Sequence, residues 1–354
     1  MTVVVKLNAI NPEPWGVRLG AQRIVEGGLV AFPTETVYGL GANALDGSAA
    51  RRVFSAKGRP ADNPLIVHVS DFEMLCEVAE PPPWLVESLH GFWPGPLTVV
   101  LPRKERIPDE VTAGLDTVAV RMPAHPVALS LIRESRRPIA APSANTSTKP
   151  SPTRAEHVVE DLWGKVDVVL DGGETFFGVE STIVHVEESL VTVLRPGPYT
   201  LEELSKHFPK VEVSLYALGA AADRPVAPGM KYKHYAPTKP LFLAADPQLL
   251  VRLSQELSRM GVSHVVLCSS ETAGHLDTQT LVLGSRENLY EVAKNLFHVL
   301  RVFDRRTEPL GLVEPFDESG VGLAIMNRLR KACGGLVVRE VDQIMREAGI
   351  TQPR

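Results

Sequence analysis

Ser55-Ala-Lys-Gly-Arg-Pro-Ala-Asp-Asn-Pro64 packs two cations, an Asp and an Asn between Gly and Pro breakers, with no apolar periodicity. Such a stretch is expected to be a loop. It runs straight into Pro64-Leu-Ile-Val-His-Val69, which reads as a strand with Leu65, Val67 and Val69 on one face and Ile66 and His68 on the other. Lys57 and Arg59 therefore stand at the mouth of a strand, where they suit an anion. The pair also fits a solvated charged turn, since surfaces are mostly charged. Similar polar residues at other strand ends favour the anion site.

Working outward, residues 16–27 read as a helix with Val17, Ala21, Ile24 and Val25 on one side and Gly27-Gly28 as its stop, followed by a strand at 29–32. Pro33-Thr-Glu-Thr-Val-Tyr-Gly-Leu-Gly-Ala-Asn43 then offers hydroxyls before a Gly-rich turn, which suit either a polar ligand or plain turn capping. Residues 49–56 form a short helix. In Thr117-Val-Ala-Val-Arg-Met122 alternation places Arg121 with Thr117 and Ala119, and an Arg inside a strand needs a partner, for which a carboxylate is the natural match. The segment Pro142-Ser-Ala-Asn-Thr-Ser-Thr-Lys-Pro-Ser151 is a hydroxyl-rich loop after the short strand 139–141. Its composition fits a turn, or a polyphosphate cradle facing Lys57 and Arg59. Ser181 opens one late strand and Arg195 closes the next. Repeated strands and helices with late hairpins predict an α/β domain over residues 1–208, a twisted mixed sheet flanked by helices. Residues 209–239, rich in small residues and proline, read as a linker, and 240–354 as a smaller, Rossmann-like α/β domain.

Composition narrows the function. The 44% hydrophobic and 22% charged content is that of a globular chain, and the length of 354 residues allows two domains. Cys76, Cys268 and Cys333 lie far apart, which argues against a disulfide framework or zinc knuckle and for a reducing compartment. No signal-peptide pattern and no run of 18 apolar residues occurs, so a soluble, cytoplasmic protein without a membrane partner is expected. A net charge of -5 disfavours a protein that grips a phosphate backbone, such as tRNA. P-loop, dinucleotide and zincin motifs are absent, and the ten histidines show no paired ligand spacing.

Pro33-Thr-Glu-Thr-Val-Tyr-Gly-Leu, Lys57-Gly-Arg-Pro with Asn63-Pro-Leu, Pro94-Gly-Pro-Leu-Thr, Ala140-Ala-Pro-Ser-Ala-Asn145, Glu180-Ser-Thr-Ile and Leu194-Arg-Pro-Gly together closely resemble the YrdC-like domain of threonylcarbamoyl-AMP synthases. The second domain, joined through Pro228-Gly-Met-Lys-Tyr-Lys-His-Tyr-Ala-Pro237, resembles the long form of that family. The resemblance implies a nucleotidyltransferase that makes L-threonylcarbamoyladenylate from L-threonine, bicarbonate and ATP with Mg2+, releasing pyrophosphate. The product would feed the tRNA threonylcarbamoyl transferase machinery that modifies adenosine 37. It further implies ATP contacts from Lys57, Arg59, Asn63, Thr117, Ser143, Asn145, Ser151 and Arg195. Threonine would be held by Thr34 or Thr36, His68, Arg121, the Ala141 backbone and Ser181, with Lys57 and Arg59 stabilising charge during adenylation. The aromatic and basic segment 230–235 reads as a lid, adding Tyr232 and His234 to the ATP side, or else as an exposed tether. An RNA-binding module of the same fold is the alternative, which the net charge weighs against.

Overall fold

The computed structural model describes residues 1–188, 190–215, 217–218 and 235–350. The chain divides into two compact units, Met1–Ser147 with Ser151–Tyr232, and Thr148–Pro150 with Lys233–Arg354. Tyr232, His234 and most of the expected lid lie outside the described residues.

Among the described residues the first unit is built on an 11-stranded mixed sheet. In spatial order its strands are Val3–Lys6, Val168–Asp171, Val30–Pro33, Tyr38–Asn43, Ile139–Ala141, Ile66–His68, Thr117–Arg121, Leu97–Pro102, Thr182–Glu187, Leu190–Arg195 and Lys210–Val213. Helices Pro14–Val25 and Pro126–Ser135 cover one region through Val17, Ala21, Ile24, Val127 and Leu131, packed with Phe32, Ile139 and Leu170. Helices Gly47–Lys57 and Ala155–Leu162 pack Val53, Ala56, Val158 and Leu162 against Leu29, Ala31, Leu40 and Val169.

The middle of the sheet decides where a ligand can go. Leu65, Val67, Val69, Val118, Val120, Val99 and Leu101 share a core with Leu75 and Val78 of helix Phe72–Val78 and with Leu85 and Leu89 of helix Pro83–Leu89. Because side chains alternate along a strand, Ile66, His68, Ala119, Arg121, Thr98 and Val100 belong to the opposite face. The period-two reading of both strands is thus met.

Three local expectations change. Lys57 is the last residue of a helix rather than part of a loop: Asp46 caps the helix by accepting from Ser48 and Ala49, and the chain turns only at Gly58, in the left-handed region at φ 61°. The helix accepts Ser55-Ala-Lys because the first true breaker is Gly58. Tyr38–Asn43 is a strand, not a Gly-rich turn. Its glycines serve close packing, since a Cβ at Gly41 would come within 2.7 Å of both the Phe32 ring and Ile139. Finally, Lys210–Val213 extends the sheet in parallel with Leu190–Val193, within the segment expected to be linker. Its alternating Lys-Val-Glu-Val suits an edge strand.

The second unit has five parallel strands among the described residues, in the order Gln279–Gly284, Val265–Ser269, Gly311–Val313, Leu241–Ala244, Val337–Val338. Leu249, Leu250, Leu253 and Leu257 of helix Pro247–Arg259, with Ile344 and Met345 of helix Val341–Ala348, cover Phe242, Val266 and Leu312. Helices Leu289–Asp304 and Gly322–Ala332 follow the later strands. Among the described residues no helix is long and apolar enough to cross a membrane.

Candidate active site

On the face of the first sheet opposite the Leu65 and Val67 core, a row of polar side chains runs across five neighbouring strands. His68 pairs with Arg121 in the parallel ladder. The pairing of Val99 with Val120 sets Thr98 beside Arg121, Thr98 pairs with Ile183, and Ile183 with Arg195. Ser181, two residues before Ile183, falls on the same face. Hydrogen bonds join the row: Thr98 Oγ1 and Ser181 Oγ lie 2.8 Å apart, and Arg195 donates to the Ser181 hydroxyl at 3.0 Å and to its carbonyl at 2.9 Å and 3.1 Å. All five side chains are buried. Directly beside them Ile66, Ala119, Val100, Ile183 and Leu194 form an apolar patch.

The turn Thr34-Glu35-Thr36 reaches this row. Thr34 is spent on the turn: its hydroxyl donates to the Val37 carbonyl at 2.6 Å and accepts from the Thr36 and Val37 amides at 3.2 Å. Thr36 instead accepts from Arg121 Nη1 at 2.9 Å, and Arg121 Nε donates to the Gly95 carbonyl at 3.3 Å. The Glu35 carboxylate stands 2.7 Å from Arg121 Nη2. That contact is an ion pair without hydrogen-bond alignment, because neither Glu35 oxygen nor Nη2 has a hydrogen-bond partner among the described residues. His68 Nδ1 lies 3.2 Å from the Ile66 carbonyl, which accepts from it in the Nδ1–H tautomer. Burial, aided by the Arg121 charge, pushes the His68 pKa down to about 3. Arg121 therefore faces a neutral imidazole at pH 7.

The N-terminal ends of strands Ile66–His68 and Thr117–Arg121, with the loop after Ala141, form a second cluster. The Lys57 ammonium donates to the carbonyl of Ser143 and, at 2.5 Å, to that of Asn145. Arg59 Nη2 donates to the carbonyls of Asn63 and Pro64, each at 3.2 Å. Both cations thus brace the loops that carry Asn63, Ser143 and Asn145. Asn63 is fully buried, yet neither its amide oxygen nor its amide nitrogen has a hydrogen-bond partner among the described residues. A buried amide left unsatisfied is costly and marks a place where a ligand or water completes the bonding. Ala141 pairs with Ile66, and Thr117 opens the strand that Arg121 closes. Ser151 donates to Glu180 at 2.6 Å, next to Ser181.

The expected residues thus fall into two groups. His68, Arg121, Thr36 and Ser181 meet in the polar row, and Arg195 joins them through Ser181. Lys57, Arg59, Asn63, Ser143 and Asn145 gather around the braced loops. Glu35, Thr98 and Glu180 were missed, although each lies inside a quoted motif. A carboxylate between two threonines was the available signal for Glu35. Chemically, one end presents a guanidinium beside small hydroxyls, suited to a carboxylate, and the other presents amide and cationic groups beside an apolar patch, suited to a nucleotide.

A family model described as "Telomere recombination" matches residues 22–197, and one described as "Threonylcarbamoyl-AMP synthase, C-terminal domain" matches residues 199–334. The chain is 47% identical over 350 residues to the threonylcarbamoyl-AMP synthase of Pyrococcus abyssi, covering 96% of this chain and 100% of that one. It is 48% identical to the Bacillus subtilis threonylcarbamoyl-AMP synthase, covering 89% of this chain and 92% of the other. Among solved structures, that of P. abyssi Sua5 complexed with L-threonine superposes with a TM-score of 0.89 at 47% identity, covering 96% of this chain and 99% of the other.

Proposed function

The chain belongs to the two-domain threonylcarbamoyl-AMP synthase family, and from that premise we propose how its own residues make L-threonylcarbamoyladenylate from L-threonine, bicarbonate and ATP, releasing pyrophosphate. The row containing Arg121 carries the assignment of the substrate end. Arg121 takes the α-carboxylate bidentately, the Thr36 and Ser181 hydroxyls and neutral His68 surround the substrate, and the Ala141 backbone borders it. Thr34 holds the turn in place.

ATP lies toward Asn63, Thr117, Ser143, Asn145 and Ser151, with its base on the patch of Ile66, Ala119, Val100 and Leu194. Arg195 orients Ser181 and faces the phosphates. Lys57 and Arg59 fix the loops so that backbone and amide groups meet the triphosphate already oriented, and they add positive charge where it develops. Mg2+ would enter with ATP as part of the substrate and offset charge on the triphosphate. Threonine's amine adds to bicarbonate with loss of water, and the carbamate oxygen attacks the α-phosphorus, displacing pyrophosphate. No protein nucleophile is required. The labile carbamate and anhydride both require that water be kept from the site. A cytoplasmic transferase acting on tRNA adenosine 37 would consume the product.

The test is pyrophosphate release by the full chain with ATP, labelled threonine and bicarbonate. Release must require both co-substrates and yield a labelled adenylate. Release that ignores threonine would overturn the assignment.

A further inference from the structure

Glu35 is a buried charge of this face that the reaction as derived does not use. It is 7% exposed, its backbone carbonyl is pinned by the Phe177 amide at 2.8 Å, and its carboxylate sits 2.7 Å from Arg121 Nη2. Yet among the described residues no donor is aligned to either carboxylate oxygen. A carboxylate retained for structure alone is expected to collect donors, because each buried oxygen left without one is penalised. His125 also lies close enough to feel the Glu35 charge, but burial holds His125 below its ordinary value, so it stays neutral at pH 7. Tyr199 feels the same charge and is held above its ordinary value, chiefly by burial, so it too is uncharged. Neither supplies a compensating cation.

An adjacent guanidinium and carboxylate, both buried, are complementary to a molecule carrying the opposite pair on one carbon. An α-amino acid does so, its ammonium and carboxylate being roughly 3 Å apart. We propose that Glu35 is the ammonium subsite of the threonine pocket, so that Glu35 and Arg121 together select an α-amino acid zwitterion. This assignment rests on threonine being the substrate. The ammonium supplies the donors that Glu35 lacks, while the substrate carboxylate supplies Arg121 Nη2 with an aligned acceptor. Until substrate arrives, the two protein charges hold each other. Occupancy by a zwitterion leaves the net charge of the site unchanged, so neither buried charge is left uncompensated. A carboxylic acid without the amino group satisfies Arg121 but forces a second carboxylate against Glu35.

The experiment uses the wild-type full chain first, with 3-hydroxybutanoate, which is threonine without its amino group, as a competitor in the pyrophosphate assay and as a titrant in calorimetry. A site built for the ammonium is expected to bind the analogue at least ~100-fold more weakly than threonine. Glu35→Gln, of nearly the same size, is expected to raise the KM for threonine about 100-fold, to leave that for ATP within about threefold, and to narrow the selectivity to about tenfold or less. Glu35→Asp should recover part of the selectivity. Equal losses for ATP and threonine, or wild-type selectivity in Glu35→Gln, would make the pair structural and overturn the assignment. If Glu35→Gln does not fold, wild-type binding of the analogue within about tenfold of threonine overturns it just as well. Should the wild type bind no threonine at all, the substrate reading fails instead, and calorimetry of other α-amino acids against their deaminated counterparts then decides the clamp.

Discussion

Each unit of this protein buries a glutamate against an arginine, and the two pairs are finished differently. In the second unit Glu314, 1% exposed, follows the strand Gly311–Val313 and meets Arg286 across the strand ends. Its oxygens accept from the Ser269 amide at 2.7 Å, the Ser269 hydroxyl at 3.3 Å and the Thr272 hydroxyl at 3.0 Å, besides Arg286. Glu35 in the first unit has the arginine and, among the described residues, no aligned donor. A saturated carboxylate ties strand ends together. An unsaturated one, buried as well, keeps its bonding capacity for something that is not part of the chain.

Removing Arg121 is the harshest way to break this contrast. Arg121→Ala leaves Glu35 uncompensated and the substrate carboxylate without its clamp, and is expected to reduce kcat/KM for threonine by about 3 to 5 kcal/mol of transition-state stabilisation, with a much smaller effect on the KM for ATP. Equal losses for both ligands would show that Arg121 is not a carboxylate clamp. The matching change in the second unit acts on stability. Glu314→Ala strands the Ser269 amide and a half-exposed Arg286, and should lower the unfolding free energy by about 3 kcal/mol, discounted from a fully buried pair for the exposure of Arg286. Denaturant unfolding that matched wild type would remove the structural role assigned to Glu314.

Acid sharpens the contrast from the other side. His68 is buried neutral beside Arg121, with its pKa about 3 against an ordinary 6.5. The unfolded chain therefore binds more protons between those values, and stability falls as the pH drops through that window. By pH 5 this one group should subtract about 2 kcal/mol from the stability at pH 8, a loss that His68→Asn should abolish. Equal pH dependence in both proteins would refute it. The gentlest change is Thr98→Val, which removes the hydroxyl that fixes Ser181. It is expected to raise the KM for threonine by about 1 kcal/mol in equivalent binding energy while leaving the fold intact, as circular dichroism would verify.

Much of the site was legible before any fold was known, because several of its residues sit in short polar motifs beside apolar strands. Alternation alone placed Arg121 and His68 opposite the Leu65 and Val118 core, and the breakers located the Arg59 loop. The role of Lys57 was less legible. Its ammonium holds the carbonyls of Ser143 and Asn145, residues 86 and 88 positions away, so it acts first as a brace. Tyr38–Asn43 was misread because its glycines look like a turn until Phe32 and Ile139 are seen to need the space.

Residues close in the chain are enough to show which strands alternate, where the chain breaks, which family it joins and which polar residues stand at strand ends. It takes the folded chain to show that Glu35 points at Arg121, that Thr36 rather than Thr34 does so too, that Ser181 is shared by Thr98 and Arg195, and that Asn63 is buried with its amide unsatisfied among the described residues. The physical reason is that hydrogen-bond saturation is a property of contacts between distant segments. No local pattern records whether a buried carboxylate is finished by its own chain or left to be finished by a ligand.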